Sequence, residues 1–191
     1  KTLIFMPMAI SFVGASVIWK FVYDLRPIDV DQIGLLNAIL VKLGSEPMAW
    51  ITIPFWNNFF LMIILIWIQT GFAMVILSAA LRGLSSEVIE ASRMDGASEF
   101  QIFYKIMIPQ ILSTIMVVWT TITIIVLKVF DIVVTMTNGQ WDTGVLANLM
   151  FNWMFVGGDF GRGSLIALII MIGVIPIMFW NIKRLRQEEL I

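Results

Sequence analysis

The sequence predicts an all-α integral membrane protein, and three observations carry the prediction. Of its 191 residues 60% are hydrophobic and 13% charged, against about 45–50% and ~25% in soluble domains. Apolar runs recur at the length of about 20 residues that a helix needs to cross the hydrocarbon core. The polar residues collect between those runs, or on one face within them, rather than scattering through them.

Composition also excludes chemistry. The net charge of −1 leaves no nucleic-acid footprint. With no Cys and no His there is no disulfide, no thiolate nucleophile, no imidazole base and almost no zinc chemistry. The nearest string to a phosphate-binding loop is GQWDTG at 139–144, followed by Val145 where a Lys is required. Asp142-Thr143-Gly144 spells an aspartic-protease triplet once, whereas that chemistry needs two carboxylates sharing a proton. The expectation is therefore no catalytic residue, no metal site, no cofactor and no enzyme.

Residues 2–23 read as the first of four spans. Pro7 lies near its start, and Ser11, Gly14, Ala15 and Ser16 form a small-residue patch that lets helices approach closely. Trp19 and Tyr23 mark the far interface. A leader peptide is the other reading of such an opening, but the run is too long and no small-residue cleavage pattern follows it. Residues 24–54 form a loop with turn signals at Pro27, Gly34, Gly44 and Pro47; Trp50 and Trp56 place parts of it at the interface.

Residues 55–81 form the second span, long enough to tilt. Gln69, Thr70 and Gly71 interrupt its middle, and an amide at that depth needs a partner or water. Trp67 stands one turn from Gly71. An aromatic beside a glycine gap and an amide suits a sugar ring; helix–helix contact is the plainer role for Gln69.

Glu90 to Pro109 is the long polar segment between apolar runs. Ser85 or Ser86 can cap a short helix with Glu87 and Glu90 near its positive end. Gly96 sits where a left-handed residue would end that helix. Ser98 followed by Gln101 is a capping-box pattern that restarts one. Helix, glycine turn, helix at the membrane surface is the reading of residues 85–105.

Residues 106–137 form the third span. Ser113, Thr114, Thr120, Thr121, Lys128, Asp131 and Thr135 fall on one arc of roughly 120° at ~100° per residue. Lys128 and Asp131, three apart, can pair there. Ionisable groups inside a span mark a pathway or lock two helices. Residues 138–163 are a second loop with turns at Asn138-Gly139 and Gly157-Gly158-Asp159, and residues 148–155 fit a partly immersed helix. Residues 164–181 are the last span, with Pro176 as a kink site, before a basic tail of Lys183, Arg184 and Arg186. If the 85–105 loop faces the cytoplasm, that side carries Lys1, Arg82, Arg93, Lys105, Lys183, Arg184 and Arg186, and the outside Arg26, Lys42 and Arg162. That asymmetry obeys the positive-inside rule.

The order Glu90-Ala91-Ser92, three residues, Gly96, nine residues, Ile106, one residue, Ile108-Pro109 resembles the coupling (EAA) motif of permease subunits in ATP-driven, binding-protein-dependent importers. Ser92 replaces the second Ala and Ile108 the Leu. The strings at 5–24, 57–84, 129–141 and 159–164 look like maltose-type sugar permeases, above all the α-glucoside branch. Asn138-Gly139-Gln140-Trp141 stands where most sugar permeases have TGGP.

The resemblance implies a type I ABC importer transmembrane-domain helix bundle lacking its N-terminal helices. It sits in the inner membrane of a prokaryote with the 85–105 loop and the C-terminus cytoplasmic and the 24–54 and 138–163 loops outside. It implies an ABC ATPase dimer holding the ATP and Mg, a second homologous permease, an extracytoplasmic sugar-binding protein and membrane lipid as partners. Glu90, Ala91, Ser92, Asp95, Gly96, Ile106 and Pro109 would couple to the ATPase. Trp67, Gln69, Thr70, Gly71, Thr121, Lys128 and Asp131 are the candidate sugar path. The rival from another class is an ion-coupled transporter or channel using Lys128 and Asp131, indifferent to an ATPase. A purely structural scaffold would leave the polar arc unexplained.

Overall fold

The computed structural model describes residues 2–188, and its elements are helical. In chain order they are α1 Thr2–Phe5, α2 Phe12–Val22, α3 Leu35–Lys42, α4 Trp56–Arg82, α5 Ser86–Met94, α6 Glu99–Ile102, α7 Ile108–Gln110, α8 Leu112–Leu127, α9 Asp131–Met136, α10 Leu146–Phe151 and α11 Phe160–Glu188. A 3-10 turn covers Met6–Ala9, and π turns cover Phe103–Met107 and Asn152–Val156. The chain forms two compact units. One holds the residues up to Gly71 together with Lys128–Ile172; the other holds Phe72–Leu127 and the chain from Gly173 on. Lys1 of the charge count lies outside the described residues, as do the side chains of Arg184 and Arg186.

Two of the four expected spans are single membrane-length helices, Trp56–Arg82 and Phe160–Asn181, each with mean hydropathy 2.4. A third counts if Glu99–Gln110 and Leu112–Leu127 are one span bent by 69°. The first expected span is not one helix. Pro7 supplies no N–H and opens a 3-10 turn, Ser11 is extended, and α2 starts afresh with the Ser11 hydroxyl accepting from the Gly14 N–H at 3.1 Å. The third also departs from expectation. Proline at 109 lacks a donor and clashes with the carbonyl four residues back, so the chain widens to a π turn just before it and bends just after. Helix α8 then stops at Leu127. Helix α11, by contrast, continues through Pro176.

In the first unit the small-residue patch does what such patches do. Ala15 and Ser16 are fully buried and α2 lies against α9. The Tyr23 hydroxyl donates to the Phe60 carbonyl at 2.9 Å. The buried face of α4 (Leu61, Ile64, Leu65, Ile68) has the three- and four-residue spacing of a helical stripe.

The 24–54 loop is ordered around one amide. Asn37, fully buried, donates to the Asp24 carbonyl (2.8 Å) and the Met48 carbonyl (3.1 Å) and accepts from the Met48 N–H (2.9 Å) and the Trp50 indole (3.0 Å). That uses the full capacity of the side chain. Gly34 lets the chain close there, since a Cβ would stand 2.1 Å from the Asp24 oxygen. The apolar stretch expected at 148–155 is helical, as α10 and the π turn after it; Arg162 sits 4.5 Å over the Trp153 ring.

Candidate functional site

The polar segment after α4 is a rigid helical hairpin built from local signals. Ser85 occupies the N-cap of α5 without a side-chain bond, and Glu87 lies in the first turn. Glu90 falls a turn further on. The helix ends in a Schellman arrangement. Gly96 is left-handed at φ 83°, its N–H bonds to the Arg93 carbonyl at 3.0 Å, and the Ala97 N–H reaches back to the Ser92 carbonyl at 3.1 Å. Ser98 then forms the expected capping box. Its hydroxyl accepts from the Gln101 N–H, and the Gln101 amide oxygen accepts from the Ser98 N–H at 2.9 Å.

A side-chain clamp across the turn was not foreseen. Arg93 donates to both Glu99 oxygens, at 2.7 and 3.2 Å, and so ties α5 to α6. The Arg93 hydrogen bond holds the Glu99 carboxyl below its usual range, and Glu99 raises the guanidinium in return. Helix periodicity could not reveal the pair, because six residues and a reversal of the chain separate them.

Of the expected coupling residues, Glu90, Ala91, Asp95, Gly96 and Pro109 are exposed, and Ser92 and Ile106 are half-buried. The Ser92 hydroxyl donates to the Val88 carbonyl at 2.6 Å. Apolar side chains stand out from the same hairpin, with Met94 89% and Phe100 74% exposed. Buried Ile102 roots it. A stiff knob with apolar and anionic groups on an exposed turn is suited to insertion into a groove of another protein.

The expected path residues belong to different environments. Gln69 is 8% exposed, and its Nε2 has no partner among the described residues. The Thr70 hydroxyl is turned back onto the Ile66 carbonyl at 2.6 Å. Gly71 is buried against the backbone of α1, where a Cβ would stand 2.9 Å from the Phe5 Cα. Trp67 meets Trp19 edge-on at 5.8 Å. In the second unit, the half-buried Thr121 donates to the Val117 carbonyl at 2.8 Å.

The expected Lys128–Asp131 pair is absent. The two make no ion pair within 4.0 Å; among the described residues the ion pairs are Arg26–Asp24, Arg93–Glu99 and Arg162–Asp159. The reason is the helix end at Leu127. Phe130 is non-helical at φ −136°, ψ −58°, so the i,i+3 relation of a continuous helix is lost. The arc drawn from Ser113 to Thr135 is interrupted at the same place. Lys128 instead borders a cavity of about 330 Å³ lined by Phe130, Ala147, Met150, Phe151, Ala167 and Ile170. Asp131 is exposed in the first turn of α9, where its charge suits the helix dipole.

The chain matches the family model described as binding-protein-dependent transport system inner membrane component over residues 2–185. It is 74% identical, over 99% of its length, to the alpha-glucoside transport system permease protein AglF of Rhizobium meliloti (strain 1021), of which it spans 56%. It is 56% identical, over 99% of its length, to the osmoprotective compounds uptake permease protein GgtC of Synechocystis sp. (strain ATCC 27184 / PCC 6803 / Kazusa), of which it spans 68%. Among solved structures it resembles a bacterial alginate ABC transporter crystallised in complex with an alginate pentasaccharide-bound periplasmic protein. The TM-score there is 0.83 at 20% identity, covering 94% of this chain and 62% of that one, a likeness of fold.

Proposed function

The chain belongs to the family of binding-protein-dependent transport system inner membrane components, and from that premise we propose that it forms part of the permease of an ATP-driven sugar importer whose solute is an α-glucoside-type sugar. The solute class rests on the likeness to the alpha-glucoside permease protein. The observation that carries the mechanism is the capped hairpin. Glu90, Ala91, Ser92, Asp95, Gly96, Ile106 and Pro109 have the spacing of a coupling motif, and the segment folds into a stiff exposed turn.

In this reading the hairpin faces the cytoplasm and docks into an ABC ATPase dimer, which holds the ATP and Mg. A second, homologous permease completes the pathway, and an extracytoplasmic sugar-binding protein delivers the solute from outside. The alginate transporter captured with its periplasmic protein supports that last partner. ATP-driven closure of the ATPase dimer moves the hairpin and shifts the helices between two arrangements. Gln69, buried with an unsatisfied donor, is the pathway residue with most to gain from a sugar hydroxyl. Lys128, with no carboxylate partner among the described residues, keeps its donors for the same purpose.

The test is purification of the full-length chain in mild detergent with its bound partners, followed by reconstitution. A second permease and an ATPase should accompany it and should be lost when Glu90 and Gly96 are both replaced. If the chain comes alone and moves solute in vesicles without ATP, under control of pH or membrane potential, the ion-coupled alternative at Lys128 and Asp131 takes its place.

A further inference from the structure

We propose that the end of the first unit around Asn57 is a binding patch for a neutral glycoside, separate from the path residues in mid-span. Asn57 is fully buried in the first turn of α4, and its amide donates to the Trp141 carbonyl. That bond joins two segments, residues 54–59 and 138–144. Phe55, Trp56 and Phe59 on the first and Trp141 on the second are 42–68% exposed. The first three pack on one another at ring-centroid distances of 5.3–5.7 Å. Among the described residues the Trp141 indole has no ring or hydrogen-bond partner, and neither the Gln140 nor the Asp142 side chain has one.

The backbone beneath these free side chains is held in costly conformations. Among the described residues four that are not glycine have positive φ, namely Phe55 (69°), Asn138 (52°), Trp141 (54°) and Asp142 (59°), and all four lie in these two segments. For bulky residues such as Phe and Trp that region is a genuine outlier, and strain of this kind gathers where side chains must be aimed. The anchors are buried polar bonds. The Thr137 and Thr143 hydroxyls meet at 2.6 Å, Thr143 also reaches the Gln140 carbonyl at 2.6 Å, and the Gly139 N–H donates to the Thr137 hydroxyl at 3.3 Å. Gly139 itself is left-handed and lies where a Cβ would strike the Asn148 amide.

The chemistry of the patch selects its ligand. It offers aromatic faces, the amide of Gln140, the carboxylate of Asp142 and no Lys or Arg in either segment, and beside them the exposed amide of Asn58, whose Nδ2 also donates to the Asn57 Oδ1 at 3.3 Å. A pyranose has an apolar face to stack on an indole and hydroxyls to donate to a carboxylate and share with amides. An anionic sugar would be repelled. The patch thus serves as a selectivity contact for the same solute class as the import reading, on which it rests.

The experiment uses the complete importer in nanodiscs, labelled with 5-fluorotryptophan, with the Trp141 signal identified by its loss in Trp141→Phe. Maltose added without binding protein should shift that signal saturably, and sorbitol should not. Asp142→Asn, which keeps a residue tolerant of positive φ, should raise the half-saturating concentration several-fold. In transport, Trp141→Gly should raise the half-saturating sugar concentration several-fold and Trp141→Phe should recover most of the loss. An unmoved Trp141 signal in a complex that imports maltose overturns the patch. So does a signal moved by sugar-free binding protein alone, which would make this a protein-docking surface, or only by brominated lipid, which would make it an interfacial anchor. A wild-type complex that imports no α-glucoside refutes the import reading instead, and the maltose titration still decides the patch.

Discussion

Gly96 and Gly71 are constrained for opposite reasons. Gly96 has open space around its missing Cβ but a φ of 83°, so its constraint is conformational. An L-residue there costs roughly 1–2 kcal/mol of local strain and loosens the Schellman cap that aims the hairpin. Gly96→Trp should leave membrane insertion intact yet uncouple ATP hydrolysis from sugar uptake in the reconstituted importer; normal uptake would remove Gly96 from the coupling machinery. Gly71 is the reverse, an ordinary helical residue in a crowded place. Its Cβ would meet the Phe5 Cα at 2.9 Å and the Ile4 and Phe5 carbonyls at 3.1 Å. Backbone cannot yield as a side-chain tip can, so Gly71→Ala should destabilise the protein by about 1–3 kcal/mol as overpacking does. A thermal melt in detergent, read against Gly173→Ala where nothing crowds the position, measures it. Equal melting temperatures for the two would mean that α1 is not packed as described.

At the scale of elements, the hairpin is the part whose fold is local, and it was legible residue by residue. Gly96 as a left-handed stop and the Ser98–Gln101 box were both readable because each depends on neighbours three or four positions away. The Arg93–Glu99 clamp was not, since it spans the turn those signals create. That clamp carries a pH dependence. Glu99 is held below its ordinary pKa of ~4.3, so the ionised form favours the folded hairpin. The contribution is present above the unfolded pKa and disappears as pH falls through the lower folded one. Both groups are exposed, so salt should weaken the clamp as well. Amide exchange at Ala97 and Ser98 should be slow and flat from pH 7 to 5 after correction for intrinsic rates, then quicken in more acid solution. Glu99→Gln should remove the acid step, and an unchanged profile in that variant would assign the step elsewhere. The 69° bend between Glu99–Gln110 and Leu112–Leu127 belongs to the same scale. Pro109 was visible, but whether the chain answers a proline with a clean stop or a wider turn depends on what packs around it. Pro109→Ala should restore ordinary α-helical spacing across Phe103–Met107 and reduce the 69° bend, which spin labels on either side of Ile111 would report as a lengthened distance.

For the molecule as a whole, the hydropathy pattern announced a membrane protein, because helices of 27 and 22 residues leave a plain apolar signature. What stayed hidden were breaks in apolar runs, at Ile10–Ser11 and after Leu127, because an apolar residue looks the same in a straight helix and in a broken one. The Lys128–Asp131 pair failed for this reason: it assumed a continuous helix. The roles of Asn37 and Asn57 were not legible either: one lies in an expected loop and the other near the start of an expected span, and neither place reveals the buried partners that hold them. Orientation is the global property the sequence argues without the fold, through seven Lys and Arg expected inside against three outside. The absence of cysteine from these 191 residues makes that testable, because an introduced thiol is the sole one among them. Met94, 89% exposed on the hairpin, and Ile28, 82% exposed in the loop after α2, are the reporters. With a membrane-impermeant maleimide, Ile28→Cys should label in intact spheroplasts and Met94→Cys only in inverted vesicles. Labelling of both from one side would mean that α4, the membrane-length helix between them, does not cross, and the reverse pattern would turn the hairpin outward, where no ATPase could meet it. The expected pattern puts the hairpin and the loop carrying Ile28 on opposite sides of the membrane, as the proposed coupling of outside capture to inside hydrolysis requires.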